Sequence, residues 1–289
     1  MAKTTKPAKK PAAKPAKAAA KPAAKPAARA GAKPAAKLAK AAAKPAAKVA
    51  AKPAAKPAKR SGMMLNVIKA SVNNMSVRVF ARAAKLDFTE NDSYGVTRSK
   101  EFLARNPAHL TPMLEEKGLP KGLLWESCAI MAYLSNKHGL EKFYPKAPAK
   151  RAMIDSAMFY LVGTLYPYVA RATYPALGFP QYAGEVGASD LELGHKTTAQ
   201  KAAMTAIAEP LEVFHSFFRD GKPFIGGAYP SIADIRLAAT LEFLAVIDYA
   251  LPDWATSYMA TMERKLGKAY SEPAADVRGY IGYVRAQKK

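Results

Sequence analysis

From Met64 to Leu266 the chain alternates short apolar runs with longer stretches of helical spacing. Met64-Leu-Asn-Val-Ile68 is a short apolar run of the kind that forms a buried strand. Ala70 to Asn74 reads as a polar turn. Ser76 to Lys85 has helical spacing, with Val77, Phe80, Ala81 and Ala84 on one face. Leu86-Asp-Phe88 and its neighbours suggest a second strand. Ser99 to Ala104 reads as a short helix ended by Asn106-Pro107, since proline pushes the residue before it away from helical backbone. Leu110-Thr-Pro-Met-Leu114 is apolar around a proline. Pro120-Lys-Gly122 turns the chain into Leu123-Leu124-Trp125, and Cys128, Ile130, Met131 and Leu134 then repeat at helical spacing. The order β-α-β-α-β-β-α predicts a mixed sheet with helices on its faces.

The pattern beyond Glu141 is all helical. Phe143-Tyr-Pro-Lys146 and Pro148 read as a linker. Ala149 to Ala172 forms a long helical pattern with Met153, Ala157, Tyr160, Leu161 and Leu165 on one face and a kink expected at Pro167. Thr173 to Gly194 reads as a long loop rich in Gly and Pro. Lys196 to Arg219 is a second long helix carrying Ala203, Ile207, Leu211, Phe214 and Phe218, with Pro210 set to bend or break it. Ser231-Ile-Ala-Asp234 is a capping box that opens a core helix through Ile247, and Asp253 to Leu266 is the next helix. Glu242 and Asp248 interrupt the apolar stretch near Leu237 to Leu251, which makes it a buried helix rather than a membrane span. The start of the chain lacks the apolar core of a signal peptide.

Charge separates the chain into two parts. Of the formal net charge of +23, residues 1–60 carry +18, from 18 Lys/Arg and no acidic residue. The unit A-A-K-P recurs there, for example at Ala12–Pro15, Ala23–Pro26 and Ala50–Pro53, and nine prolines interrupt any helix. Only Met1, Leu38 and Val49 are larger apolar residues, so the tail has no core to bury and is expected to be disordered. Evenly spaced lysines without aromatics suit salt-sensitive, sequence-blind binding of a polyanion such as nucleic acid. A solubilising or spacing extension has the same composition. The single cysteine rules out an intrachain disulfide and leaves nothing that points to an oxidising compartment.

The candidate chemistry sits in Leu123 to Leu134. Glu126 and Ser127 fall at the start of a helix, where free backbone N–H groups and a partial positive charge suit a ligand carboxylate. A Ser hydroxyl adds a donor and an acceptor, and a carboxylate can hold an ammonium, so the pair fits an amino-acid head group. The competing assignment is a capping serine beside an acidic residue suited to the helix dipole. Cys128, inside the same helix, reads as a small core residue rather than a nucleophile. The four histidines (His109, His138, His195, His215) show no metal-ligand spacing, and one cysteine cannot build a zinc site, so no metal is expected. His109 could line the cleft, and His138 beside Gly139 suits a helix C-terminus. No phosphate-binding glycine motif is present.

Residues 63 to about 275 resemble a glutathione S-transferase of the serine type, nearest the theta and phi classes. Asn106-Pro107 stands before Thr111-Pro112-Met113-Leu114 as in the family's N-P-x-G-x-V-P-x-L segment, whose second proline is cis. Glu126-Ser127-Cys128-Ala129-Ile130 matches E-S-x-A-I, and Ser231-Ile-Ala-Asp234 matches S-x-A-D. The resemblance implies an α/β thioredoxin-like domain over residues 63–140, an all-α domain over 141–289, and the tail at 1–62. It implies glutathione as co-substrate, with Glu126 and Ser127 on its γ-glutamyl end, Thr111 on its peptide backbone and Pro112 shaping that contact. Counting back from Phe88 puts Ser71 on the catalytic serine, with Ser76 as the alternative. Four positions depart from the family pattern: His109 for glycine, Leu110 for Lys or Gln, Thr111 for valine, and Met75 for arginine.

The resulting reading is a cytoplasmic enzyme, expected as a homodimer, that joins the glutathione thiolate to a small electrophile. The tail also resembles the Lys-Ala-Pro tails of linker-histone-like proteins, which implies nucleic-acid association at a nucleoid or nucleus. The alternative is a non-catalytic module on the same fold, as in a subunit of translation elongation factor one, whose corresponding loop Tyr174-Pro-Ala-Leu-Gly178 resembles. Met158, Tyr160, Tyr166 and Tyr168 are candidates to line the electrophile pocket.

Overall fold

A computed structural model describes residues 62–178 and 198–287. The expected disordered tail, the segment up to Gly194 beyond Gly178, and the first residues of the helix expected from Lys196 lie outside the described residues.

The first domain runs β1 (Met63–Val67), α1 (Val72–Ala83), β2 (Thr89–Asp92), α2 (Lys100–Arg105), β3 (Met113–Glu116), β4 (Leu123–Trp125) and α3 (Ser127–Lys137). The sheet order is β2-β1-β3-β4. β1 pairs parallel with β2 and antiparallel with β3, and β4 is antiparallel to β3. This is the mixed thioredoxin-like sheet expected. Leu65, Val67 and Leu114 from the sheet meet Val72, Val79 and Phe80 of α1 in the core.

Two boundaries differ from expectation. The second strand is Thr89–Asp92, formed by the residues next to Leu86-Asp-Phe88 and leaving those three outside it. Phe88 instead packs beneath the Arg82 guanidinium, 5.4 Å from its ring centroid, and only the polar residues after it reach β1. The expected polar turn at Ala70–Asn74 is half helix. Ser71 takes extended backbone in the cap position, and Val72, Asn73 and Asn74 form the first turn of α1.

The second domain opens with α4 (Pro148–Tyr160), a π-helical turn at Leu161–Leu165, and α5 (Tyr166–Thr173). Pro167 explains the π turn: it lacks an N–H and its ring crowds the carbonyl four residues back, so the hydrogen-bond ladder widens there. Met153, expected on the inner face, is exposed, while Ile154, Ala157 and Met158 point inward. Next come α6 (Thr198–Ala206) and α7 (Ala208–Val213), followed by a π turn at Phe214–Arg219. The break at Ile207 falls where Pro210 would clash with Ala206, the bend expected of that proline. Ala203, Ile207, Leu211, Phe214 and Phe218 are all buried, as their spacing predicts.

The core helix α8 (Ile232–Glu242) continues as a 3-10 turn to Ile247, followed by α9 (Asp253–Leu266) and α10 (Lys268–Ala286). The capping box is formed. Ser231 accepts from the Asp234 backbone, and Asp234 accepts from the Ser231 backbone at 2.7 Å. The Asp234 carboxylate also accepts from the Ile225 and Gly226 N–H groups and from Tyr258 Oη, so it fixes a loop and two helices at once. Helix α10 lies beyond the last helix that the sequence pattern predicts. It packs on α1, where Arg78 reaches Asp276 at 2.8 Å and Glu90 at 3.0 Å. Among the described residues no helix is long and apolar enough to cross a membrane.

Candidate active site

The topology brings three segments to one end of the sheet. Met113, which opens β3, pairs with Asn66 near the end of β1 and with Trp125 at the end of β4. The residues just before β3 (Thr111, Pro112), just after β4 (Glu126, Ser127) and just after β1 (Ser71) therefore share that end. One side-chain bond closes the arrangement: Asn74 Nδ2 in the first turn of α1 donates to Thr111 Oγ1 at 3.1 Å.

The turn before β3 is built by Asn106, which is fully buried. Its Nδ2 donates to the Leu110 carbonyl at 2.8 Å, and its Oδ1 accepts from the Ala108 N–H at 3.1 Å. His109 sits at φ +49°, the left-handed region that the family's glycine would occupy without strain. The Thr111-Pro112 bond is cis. No hydrogen bond among the described residues uses the Thr111 backbone, which leaves its N–H and C=O available to a peptide ligand. Leu110 is 46% exposed beside it and offers no polar group.

Glu126 holds the cap position of α3 at φ +73°, ψ +114°. For a residue with a Cβ this backbone costs on the order of 1–3 kcal/mol, and such strain concentrates at ligand sites. Its carboxylate is exposed and makes no cap bond, while Ser127, 6% exposed, is the first helical residue. Neither side chain caps the helix, although Glu126 in the cap position still suits the helix dipole.

Ser71 is partly exposed, and its side chain likewise makes no cap bond. Its hydroxyl stands beside the free N–H groups at the start of α1. Ser76 differs. It is fully buried, and its Oγ donates to the Asn73 carbonyl at 2.7 Å, which leaves no reach to a ligand. Burial pushes the Cys128 thiol upward, and the nearby Arg236 charge only partly offsets this, which disfavours the thiolate.

A polar network with no motif in the sequence lies behind the site. Asn73 Nδ2 donates to Tyr166 Oη at 2.8 Å, and Tyr166 Oη is hydrogen-bonded to Tyr174 Oη. Arg236 of α8 donates to Asn73 Oδ1, and its guanidinium lies 4.8 Å from the Tyr166 ring centroid. Tyr166 appears among the expected pocket residues; Asn73 and Arg236 do not, and their only sequence signal is polarity inside apolar helices. His138 ends α3, as expected. Among the described residues no three His, Cys, Asp or Glu side chains gather as metal ligands would.

Comparison with known proteins agrees with this fold. Residues 64–136 match the family described as glutathione S-transferase, N-terminal domain. The fruit-fly (Drosophila melanogaster) protein named glutathione S-transferase D6 is 26% identical over 193 residues, which span 65% of this chain and 80% of that one. The silkworm (Bombyx mori) glutathione transferase BmGSTD1 superposes with a TM-score of 0.60 at 26% identity, covering 78% of this chain and 97% of that one. Human glutathione transferase theta-2, solved in complex with glutathione, gives a TM-score of 0.66 at 21% identity, covering 79% of this chain and 92% of that one. The chain has the glutathione transferase fold: a thioredoxin-like domain joined to an all-helical domain.

Proposed function

We propose that the protein is a serine-type glutathione transferase that conjugates glutathione to a small electrophile. The observation that carries this reading is the meeting of three groups at one sheet end: the Ser71 hydroxyl, the Thr111 backbone and the Glu126–Ser127 pair, none of them spent on a helix cap or turn. Ser127 and the free N–H groups of α3 hold the γ-glutamyl carboxylate, and Glu126 holds its ammonium. The Thr111 N–H and C=O pair with the cysteinyl backbone, with Pro112 shaping the turn.

The Ser71 hydroxyl donates a hydrogen bond to the sulfur. The start of α1 adds its dipole, and both favour thiolate over thiol. The thiol proton goes to solvent. A sulfur lone pair then forms the new C–S bond, and the leaving group departs with the electron pair of the bond it breaks. Ser71 keeps its proton throughout.

The test is conjugation of glutathione to an activated aryl chloride by the wild-type protein and by Ser71→Ala. The variant should lose roughly 10²-fold in kcat/KM, the scale of one lost donor to a developing anion, and its rate should rise at higher pH. Equal activity in both proteins would remove Ser71 from the mechanism.

The tail supports a second, separable property. With +18 in its first 60 residues it should hold the enzyme on a polyanion. Retention on immobilised DNA near physiological salt should vanish when residues 1–60 are removed; retention unchanged by the truncation would contradict this. The resemblance also supports a homodimer in a reducing, cytoplasmic setting, with light scattering as the check on its mass. The non-catalytic alternative finds less support. Tyr174 and Leu177 of its signature loop are anchored inside this fold, Tyr174 against Phe243 and Leu177 by burial.

A further inference from the structure

Among the described residues two arginines are buried, and the fold treats them differently. Arg78 meets two carboxylates, Glu90 and Asp276. Arg236 is 2% exposed, and no carboxylate among the described residues lies within ion-pair distance of it. Its hydrogen-bond partners are neutral: Thr240 Oγ1 on its own helix and Asn73 Oδ1 on α1. Its Nε is buried with no partner, and one face covers the Tyr166 ring. Removing a cation from water without a counter-ion is costly. A merely structural tie between α8 and α1 would be met by a neutral side chain.

The position of the charge suggests what balances it. Asn73 is two residues past Ser71 and is gripped from both sides, by Arg236 at Oδ1 and by Tyr166 at Nδ2. On its other side the guanidinium lies in electrostatic reach of Cys128, the neighbour of Ser127. It therefore stands behind both segments assigned to glutathione. The groups around it are Asn73 on α1, Cys128 on α3, Tyr166 on α5 and Thr240 on α8; the Glu126 carboxylate, which also acts on Cys128, makes no ion pair with it.

We infer that Arg236 is a positioning residue: it fixes the first turn of α1 through Asn73, and its unpaired charge favours an anionic sulfur on the bound thiol. This inference rests on the glutathione reading above. The ligand supplies the counter-charge that the fold omits. Arg236 does not touch the reacting atoms; it acts through Asn73 and through its field in a site of low dielectric.

The test compares two glutathione analogues by calorimetry on the full-length protein. Glutathione sulfonate carries a fixed negative charge at the sulfur, and S-methylglutathione carries none. The wild type should prefer the sulfonate by about tenfold or more, the scale of one charge pair at intermediate separation in a partly buried site. Arg236→Gln should lose most of that preference while binding S-methylglutathione within about twofold of wild type. Arg236→Lys, which keeps the charge, should retain it. A structural role alone would weaken both analogues alike and leave their ratio unchanged, and that result would overturn the inference. If Arg236→Gln fails to fold, the wild type and Arg236→Lys still decide, because equal affinity of either protein for the two analogues contradicts a charge acting at the sulfur. Absence of binding of both analogues by the wild type would overturn the glutathione reading, and this inference with it. Binding of S-methylglutathione without a sulfonate preference would overturn this inference alone.

Discussion

Asn74 Nδ2 lies 3.1 Å from Thr111 Oγ1, and this bond ties the start of α1 to the cis-proline turn. Both residues sit beside assigned ligand contacts, Ser71 on one side and the Thr111 backbone on the other. Asn74→Ala removes a bond worth about 1 kcal/mol. Glutathione affinity should fall roughly fivefold by calorimetry, with the far-ultraviolet circular dichroism unchanged. Undiminished affinity would mean that the turn holds its shape without α1.

Glu126 separates strain from function. Glycine would relax φ +73°, ψ +114° and would remove the carboxylate assigned to the ligand ammonium. Glu126→Gly should therefore hold or raise the melting temperature while glutathione affinity drops about tenfold. A large loss of stability would make Glu126 a folding residue instead.

The Asp234 hub is expected to matter for folding and not for chemistry. It accepts from three backbone N–H groups, Ser231 Oγ and Tyr258 Oη. Asp234→Ala leaves those buried donors unpaired and should destabilise the protein by roughly 3 kcal/mol or more in urea unfolding. Gly226→Ala tests the same loop: a Cβ there would stand 2.4 Å from the Tyr229 carbonyl oxygen. It should cost about 1–3 kcal/mol, with kcat/KM of the remaining folded protein unchanged.

Acid stability should depend on Glu90. Burial raises its carboxyl pKa, but hydrogen bonds and charge from Arg82 and Arg78 outweigh that, so the net shift is downward from 4.5. A carboxylate depressed in the folded state contributes stability that is fully present above its unfolded pKa and is lost as pH falls through its folded value. The loss should therefore begin below about pH 4.5. Glu90→Gln should reduce stability at pH 7 by about 2 kcal/mol, the worth of hydrogen bonds to charged groups. It should also flatten the fall in stability below pH 4.5. A parallel acid limb in wild type and variant would assign it to other carboxylates.

Much of this fold was legible because its signals are local. The capping box at Ser231–Asp234 needs only four residues to declare itself, and Pro167 and Pro210 mark the two places where a helix changes form. The bounds of the second strand are not legible because Leu86 and Phe88 are the apolar residues there, yet they pack under α1 while polar Thr89–Asp92 pairs with β1. Helix α10 was passed over because Pro273, Gly279 and Gly282 break its pattern; burial of Tyr270, Val277 and Ile281 holds it as a helix. Ser71, Thr111, Glu126 and Ser127, the proposed ligand contacts, are readable from sequence because each stands beside a motif. Arg236 and Asn73 are not, since 163 residues separate them and only the packing of α8 on α1 brings them together.

The central claim is that this sheet end binds glutathione through Thr111, Glu126 and Ser127. Its most direct test is calorimetric titration of the full-length protein with glutathione, beside Ser127→Ala. The account predicts millimolar or tighter binding that weakens about tenfold in the variant, the scale of one hydrogen bond to a ligand carboxylate. No binding at millimolar glutathione, or equal binding by both proteins, would contradict it.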